Sequence, residues 1–359
     1  MATFDVLCRP LDQVLPHPNA DRLELAAVGG YRCVVGKGQF QAGDLVAYLP
    51  EAAVLPPELI EELGLTGKLA GTHKNRIHPV SLRGVLSQGV VMKARDGWTA
   101  GQSVMQELGV VKFVPEIPKE LLGSAYALEE HERLDFDIEN IKAHPTLFAP
   151  GEPVVITEKV HGVFMAMGGL PEDLARDCGH RAGRSYVSSK GLLANRMAFQ
   201  LDNENPYVRS ADRLGLHAVV QDLATRWNTP VLILGELFGV GIQDLGYGQP
   251  GGQPAFRVFA IVKRDVDGRP VYLDDKELSA VVSHFGLTRV PVLFRGGFSP
   301  EVVAEYTTGR ETVSGEDVHL REGVVITPAQ ERHTNEIGRL ALKSVSEAYL
   351  LRKGGTEYN

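Results

Sequence analysis

Short apolar runs separated by glycine-bearing turns set the rhythm of residues 1 to about 95. Tyr31-Arg32-Cys33-Val34-Val35 and Asp44-Leu45-Val46-Ala47-Tyr48-Leu49 are the clearest of these runs, and they predict strands of a small barrel. One helix is predicted at 57–64, PELIEELG, where proline opens and glycine closes the segment. Residues 96 to about 150 lose the rhythm and read as a connector. They hold PEIPKELLG and a charged run, LEEHERLDFDIENIK, which reads as a solvated surface or a strap between domains rather than as a site. From about 151 strands and helices mix. The segment 211–228 places Leu216, Val219, Val220, Leu223 and Trp227 on one helical face. Next, 230–241 reads as a buried strand ending in glycines, and 256–265 as another strand. Helices are predicted at 275–286 and 299–309, the second with Ser299 as N-cap, Pro300 in its first turn and Gly309 at its stop. Strand-like 322–328 and 339–346 come last, followed by a terminal helix, EAYLLRKGG.

Composition narrows the class. At 359 residues the chain exceeds one ordinary core, so at least two domains are expected. A hydrophobic content of 43% and a charged content of 23% describe a globular protein. No run of about 18 apolar residues appears, so no membrane span is expected. The start, MATFDVLCRPLDQV, lacks the basic-then-apolar layout of a signal peptide. Cys8, Cys33 and Cys178 are scattered and odd in number, which argues against a disulfide framework and for a cytoplasmic home. Cys178-Gly179-His180 has no second pair at ligand spacing, so it does not predict a metal site. The net charge of −8 excludes non-specific coating of nucleic acid but leaves room for a local basic groove.

The chemistry is concentrated in four charged residues set in or beside apolar strands: Lys159, Glu236, Glu322 and Lys343. Charge in an apolar strand is costly unless it is paired, bound to metal or facing a polar cleft. Singly, each has a bland reading: a turn lysine, a turn cap, a solvated carboxylate, an edge-strand gatekeeper. Together they suggest a cleft for a phosphorylated ligand and a divalent cation. A nucleophilic lysine, with a free pKa of about 10.4, must first lose its proton. Its attack on the α-phosphate of a nucleotide would give a phosphoramidate, and needs a carboxylate-held metal and donors on the phosphate oxygens. Strand alternation places Arg339, Ala341 and Lys343 on one face of 339–346, away from Leu340 and Leu342.

Lys159-Val160-His161-Gly162, Ser189-Lys190-Gly191, Glu236 in LGELFG, Phe259 in FRVFAIV, Glu322-Gly323 in EGVVI and Lys343 in LALKS stand in one order along the chain. That order resembles the covalent nucleotidyltransferase superfamily, the polynucleotide ligases and messenger-RNA capping enzymes. The segments are similar to its motifs I, Ia, III, IIIa, IV and V, and histidine at position 161 resembles RNA rather than DNA ligases. The resemblance implies that Lys159 is the adenylylated nucleophile. By the same resemblance Glu236 would hold the ribose hydroxyl or metal-bound water, and Phe259 would stack on adenine. Glu322 would anchor the metal through water, Lys343 would contact the α-phosphate, and Glu158 would help place the adenine. Arg184 is chosen as the arginine that clamps ribose or phosphate, with Arg181 competing closely. Two departures stand out: Ala341 replaces the first lysine of the usual motif V pair, which leaves Arg339 as a candidate second cation. Phe164 stands where many DNA ligases and capping enzymes carry arginine.

Only 16 residues follow Lys343, too few for a C-terminal barrel, and 17-HPNADRLELAAVGG-30 with 83-RGVLSQGVVM-92 is similar to OB-type tRNA-binding domains. The whole therefore resembles the Deinococcus-type RNA ligase family. The expected fold is α+β: residues 1–125 an OB-fold β-barrel with connector, residues 126–359 a nucleotidyltransferase domain of antiparallel sheets flanked by helices. ATP as AMP donor, Mg or Mn, and a nicked duplex with an RNA 3′-OH strand are implied, for a protein expected to be a monomer. In the barrel, Lys74, Arg76 and Arg83 either track a phosphate backbone or form an ordinary solvated loop. Two rival readings remain at this point: GTP-dependent capping, and a non-catalytic OB-type RNA-binding protein.

Overall fold

The computed structural model describes residues 4–114, 125–177, 183–201, 205–249, 251 and 253–352. Two three-stranded antiparallel sheets form the N-terminal unit. One is ordered Leu7–Pro10, Leu45–Leu49, Val90–Lys93, and the other Gln13–Pro16, Leu23–Val28, Tyr31–Gly36. Strand alternation explains how one strand serves two cores. Val46 and Tyr48 pack with Ala26, Cys33 and Val35, while Ala47 and Leu49 pack with Cys8, Leu55 and Met92. A helix at Pro57–Glu62 buries Leu59. The connector expected from residue 96 onward is partly barrel: Trp98, Val104, Leu108 and Val110 enter the same core, and Val111–Lys112 pairs with Ala53–Val54. These apolar residues are separated by turns, so they show no strand or helix period.

The C-terminal unit is built on two sheets. The larger is ordered Ala125–Ala127, Met197–Phe199, Ser185–Ser189, Val163–Gly169, Val231–Phe238, Ala255–Arg264, Pro270–Tyr272. The smaller is ordered Glu139–Asn140, Leu342–Val345, Gly323–Pro328, Pro153–Lys159, Val292–Gly297. Every pairing in both is antiparallel except that of Glu139–Asn140 with Leu342 and Lys343. One face of the larger sheet (Met165, Ile233, Val258) packs on Val220 and Leu223 of helix Leu216–Trp227 and on Leu278 and Val282 of helix Asp275–His284. Its other face (Phe164, Leu232, Leu234, Ala260) is covered by Leu128, Leu134 and Phe136 of the charged run. The run is therefore a strap with an apolar underside.

Several expected elements are recut. The segment 211–228 is two helices, Pro206–Arg213 and Leu216–Trp227, parted at Gly215, whose φ of +64° is a left-handed conformation that stops a helix. The predicted face survives: Leu216, Val220 and Leu223 are buried, with Val219 and Trp227 against the same core. The segment 339–346 is also broken. Gly338–Arg339 pairs with His333–Thr334, and the strand resumes only at Leu342–Val345. The terminal helix covers Glu347–Leu350, and 353–359 lie outside the described residues. No helix among the described residues is long and apolar enough to cross a membrane.

Three polar ties join the units beside the smaller sheet. Lys142 Nζ donates to Gln88 Oε1 at 2.7 Å, and Gln88 Nε2 donates to Glu51 Oε1 at 3.0 Å. Lys112 Nζ lies 3.2 Å from Asp137 Oδ2, and Arg32 pairs with Glu347.

Candidate active site

Lys159 ends the strand Pro153–Lys159 and sits opposite Gly323 of the neighbouring strand. Glu322 immediately precedes that glycine, so the two side chains meet: Lys159 Nζ to Glu322 Oε1 is 2.5 Å. Thr157 pairs with Val325, and Val325 with Lys343, which puts Lys343 in line on the same face of the sheet. The strand bearing Lys343 approaches this closely because residue 323 lacks a Cβ, which would overlap Ser344 O. Gly162 does the same on the other side. A Cβ there would overlap Leu237 O and lie 3.0 Å from Glu236 Cγ, so glycine lets the 160–162 link rest on the Glu236 strand. The four residues singled out from the sequence are thus brought to one place where the two sheets meet.

Their electrostatics are tightly balanced. Burial pushes the Glu236 carboxyl up to about 8, and the Glu322 charge adds to this, against Lys159, Lys190 and the Gly162 amide. Lys343 is held below the usual lysine range, first by burial and then by Lys159 and Lys190, with Asp137 and Glu51 opposing. Glu322 is 7% exposed, and its Oε2 has no hydrogen-bond partner among the described residues. A buried carboxylate oxygen without a partner is a costly arrangement that a hard cation relieves. Among the described residues no group of three His, Cys, Asp or Glu forms a closed metal cage. Two carboxylates, one with an unpartnered oxygen, fit Mg or Mn, which take oxygen ligands and complete their shell with water.

Phe259 reaches the strap face through a β-bulge. The register slips between Leu234 and Gly235, so Val258 pairs with Gly235 and Ala260 with Leu234, leaving Phe259 as the extra residue. Its ring lies 5.6 Å from that of Phe136 and 6.0 Å from that of Phe164. Glu158 points to the opposite side of the strand from Lys159. Thr312 N–H and Oγ1 donate to its Oε2 at 2.8 and 2.7 Å, and its buried Oε1 is unpartnered among the described residues. Its carboxyl is raised by burial against those hydrogen bonds and the Arg321 charge.

The structure does not bring Arg184 to this place. It precedes Ser185 at the end of the Val163–Gly169 pairing away from Glu236. There its Nε donates to Leu170 O at 3.1 Å, and its Nη2 donates to Thr225 Oγ1. Arg181 lies outside the described residues, as do Cys178 and His180. Arg339 does not supply the second cation either. It pairs with Glu331 at 2.5 Å and lies 3.9 Å over the Tyr272 ring. The break at residues 340 and 341 removes the strand alternation that linked it to Lys343. In the N-terminal unit Lys74 and Arg83 are exposed, both with left-handed φ, while Arg76 is half-buried over the Phe113 ring at 4.2 Å.

Three further charged residues belong to the cluster. Lys190 acts on both Glu236 and Lys343 and lies 3.6 Å from Asp137 Oδ1. Asp137 belongs to the strap and Lys112 to the N-terminal unit. Lys190 was within reach of the sequence, since Ser189-Lys190-Gly191 is one of the ordered segments. Asp137 was hidden in a charged run with no period of its own.

Residues 6–94 match an OB-fold domain model. No curated protein matches the chain. Among solved structures, a Naegleria gruberi RNA ligase variant with ATP and Mn is 21% identical, covers 97% of this chain and 98% of its own, and superposes with a TM-score of 0.72. Another variant of that ligase, with AMP and Mn, gives 21% identity, 96% and 97% coverage and a TM-score of 0.73. The same ligase with PPi gives 21%, 96%, 97% and 0.72. At this identity the likeness establishes a shared fold over both units, an N-terminal OB domain followed by a sheet-rich nucleotidyltransferase-like domain. Residues 152–345, more than half of the chain and including Lys159, Glu236, Glu322 and Lys343, match the RNA ligase family model, and the chain belongs to the RNA ligase family.

Proposed function

We propose that the protein is an ATP-dependent RNA ligase that joins a 3′-OH to a 5′-phosphate through a lysyl-AMP intermediate. The observation that carries this reading is the meeting of Lys159 with Glu322, beside Glu236 and Lys343, where two sheets join. The ATP- and Mn-bearing ligase structures of the same fold support the choice of nucleotide and ion. In the first step Lys159 Nζ, having lost its proton to solvent, attacks the α-phosphorus of ATP. A P–N bond forms, the P–O bond to the β-phosphate breaks, and pyrophosphate leaves. Lys343 and Lys190 donate to phosphate oxygens, and rigid strand placement of Lys159 supplies the orientation. Phe259 stacks on the adenine, and Glu158 offers its unpartnered oxygen to the base. A divalent Mg or Mn ion held through Glu322 and Glu236 neutralises charge at the α-phosphate when bound.

In the second step the AMP passes to the 5′-phosphate of the acceptor strand and frees Lys159. In the third, the 3′-OH attacks that activated phosphate and AMP departs. The substrate in this reading is a nicked duplex with RNA on the 3′-OH side, tracked in part by exposed Lys74 and Arg83. The protein acts as a monomer in the cytoplasm, where the buried thiols of Cys8 and Cys33 stay reduced. Incubation with α-labelled ATP and Mg²⁺ or Mn²⁺ tests the first step. Label is expected on the wild-type chain and not on Lys159→Ala, and GTP should leave none. Absence of label, or equal label on Lys159→Ala, overturns the reading. Sealing of nicked duplexes with RNA or DNA on each side then tests the substrate.

A further inference from the structure

Val160-His161-Gly162 links the Lys159 strand to the larger sheet, and His161 is 4% exposed with its backbone N–H and both ring nitrogens engaged. Its backbone N–H donates to Tyr247 Oη at 2.6 Å. Its Nε2 lies 2.8 Å from Asp244 Oδ1, and its Nδ1 lies 2.7 Å from Tyr349 Oη. A carboxylate only accepts, so the ring proton sits on Nε2. In the neutral ring Nδ1 is then a bare lone pair, and the Tyr349 hydroxyl is its donor. Arg352 closes the circuit. Its Nε lies 3.2 Å from Asp244 Oδ2, and its guanidinium lies 3.7 Å over the Tyr349 ring. Gln243 donates to Gly162 O in the same loop.

Two distant segments therefore grip the residues that follow Lys159: the loop holding Gln243, Asp244 and Tyr247, and the helix Glu347–Leu350. The second also reaches the other partner of Lys159, since Ser346 N–H donates to Glu322 O at 2.8 Å. One residue further on, Glu347 pairs with Arg32 of the OB domain. Tyr349 is 1% exposed, and its hydroxyl meets His161 Nδ1.

We propose that Tyr349 is a positioning residue for adenylyl transfer: through His161 it fixes the link that aims Lys159, and its helix ties that link to the OB domain. The proposal rests on the lysyl-AMP reading. Because Tyr349 acts on the placement of the nucleophile, its loss lowers the rate of transfer and leaves ATP binding as it was. Removing only the hydroxyl, in Tyr349→Phe, strands one buried lone pair.

The test is single-turnover labelling by α-labelled ATP and Mg²⁺ in a four-way comparison of wild type, Tyr349→Phe, His161→Ala and the double variant. Tyr349→Phe is expected to label about tenfold more slowly, the scale of one lost hydrogen bond to a buried group, at unchanged KM for ATP. In the His161→Ala background it should cost nothing further, because the two residues act as one unit. A residue that merely filled space would lower the melting temperature and leave the single-turnover rate of the folded protein in place. Should Tyr349→Phe fold poorly, the ¹⁵N shifts of the His161 ring in the wild type decide, with a neutral Nε2–H tautomer expected. Wild-type speed in Tyr349→Phe, additive losses in the double variant, or an Nδ1–H tautomer each overturn the proposal. Wild-type protein that takes no label overturns the lysyl-AMP reading instead.

Discussion

Glu236 is the residue whose surroundings most contradict its chemistry. An acid belongs in water, yet this one is packed at the sheet junction next to Gly162, and its carboxyl is pushed up to about 8. The consequence for stability has a definite sign. Between the ordinary carboxylate range and about pH 8 the folded chain holds a proton that the unfolded chain has lost, so stability falls as pH rises through that window. Above it the folded chain carries the full cost of a buried charge. Glu236→Gln keeps the shape and removes the charge. Its melting temperature should match wild type near pH 5 and exceed it near pH 9 by on the order of 2–5 °C. Mg²⁺ should narrow the gap by stabilising the wild type alone. Thermal melts from pH 5 to 9 check this, and parallel curves for the two proteins would refute it. The same variant should label poorly with ATP, so at this position stability and catalysis pull in opposite directions.

Elements convert residue chemistry into geometry, and Gly323 and Gly191, both in the ordered segments, show how unevenly. Gly323 has Ser344 O where a Cβ would go, so Gly323→Ala forces the Leu342–Val345 strand away from the Lys159 strand and moves Lys343 with it. A misplacement of about 1 Å costs about a hundredfold in rate, and that is the fall expected in single-turnover labelling. Gly191, in the helix Lys190–Ala194, has open space where its Cβ would go. There Gly191→Ala should change the labelling rate by less than about twofold and slightly raise stability, as alanine does in a helix. Equal losses in both would refute the geometric account. The sequence made four site residues legible because a charged residue in or beside an apolar strand is conspicuous against its neighbours. It could not show which face Phe259 occupies, since a one-residue bulge in Ala255–Arg264 reverses the alternation beyond it. Arg184 was misplaced for a similar reason. Along the chain it is close to Lys190, but the strand Ser185–Ser189 lies between them, and at about 3.3 Å per residue a strand carries its two ends to different places. Lys190 arrives at the site and Arg184 does not. The strap was among the readings of the charged run, but its apolar underside, Leu128, Leu134 and Phe136, escaped because it follows no regular period.

At the scale of the whole molecule, a chain of net charge −8 has to hold a polyanion. The two domains divide that problem. Inside the catalytic unit the lysines are locally matched by Glu322 and Asp137, and OB-domain groups complete the set through Lys112, Glu51 and Gln88. On the outer surface of the OB domain, Lys74 and Arg83 are exposed, and no ion pair is seen for either among the described residues. Arg76 is different, since its guanidinium is committed to the Phe113 ring. An RNA backbone meeting that surface would release counterions at Lys74 and Arg83 and would gain little at Arg76. Lys74→Ala with Arg83→Ala should therefore weaken binding of a nicked duplex uniformly across sequences. The slope of log K against log salt should become shallower by about 0.7–0.9 for each contact removed. Arg76→Ala should leave the slope unchanged and instead lower the melting temperature, because it strips packing from the end of the barrel core. Lysyl-AMP formation with ATP alone should be normal in the double variant, since both residues are exposed in the OB domain, outside the strands that carry Lys159, Glu236 and Lys343. Binding isotherms at several salt concentrations, read beside ATP labelling of the same preparations, separate the two roles. A slope that stays at the wild-type value would remove Lys74 and Arg83 from the RNA path and direct the search to another face of the OB domain.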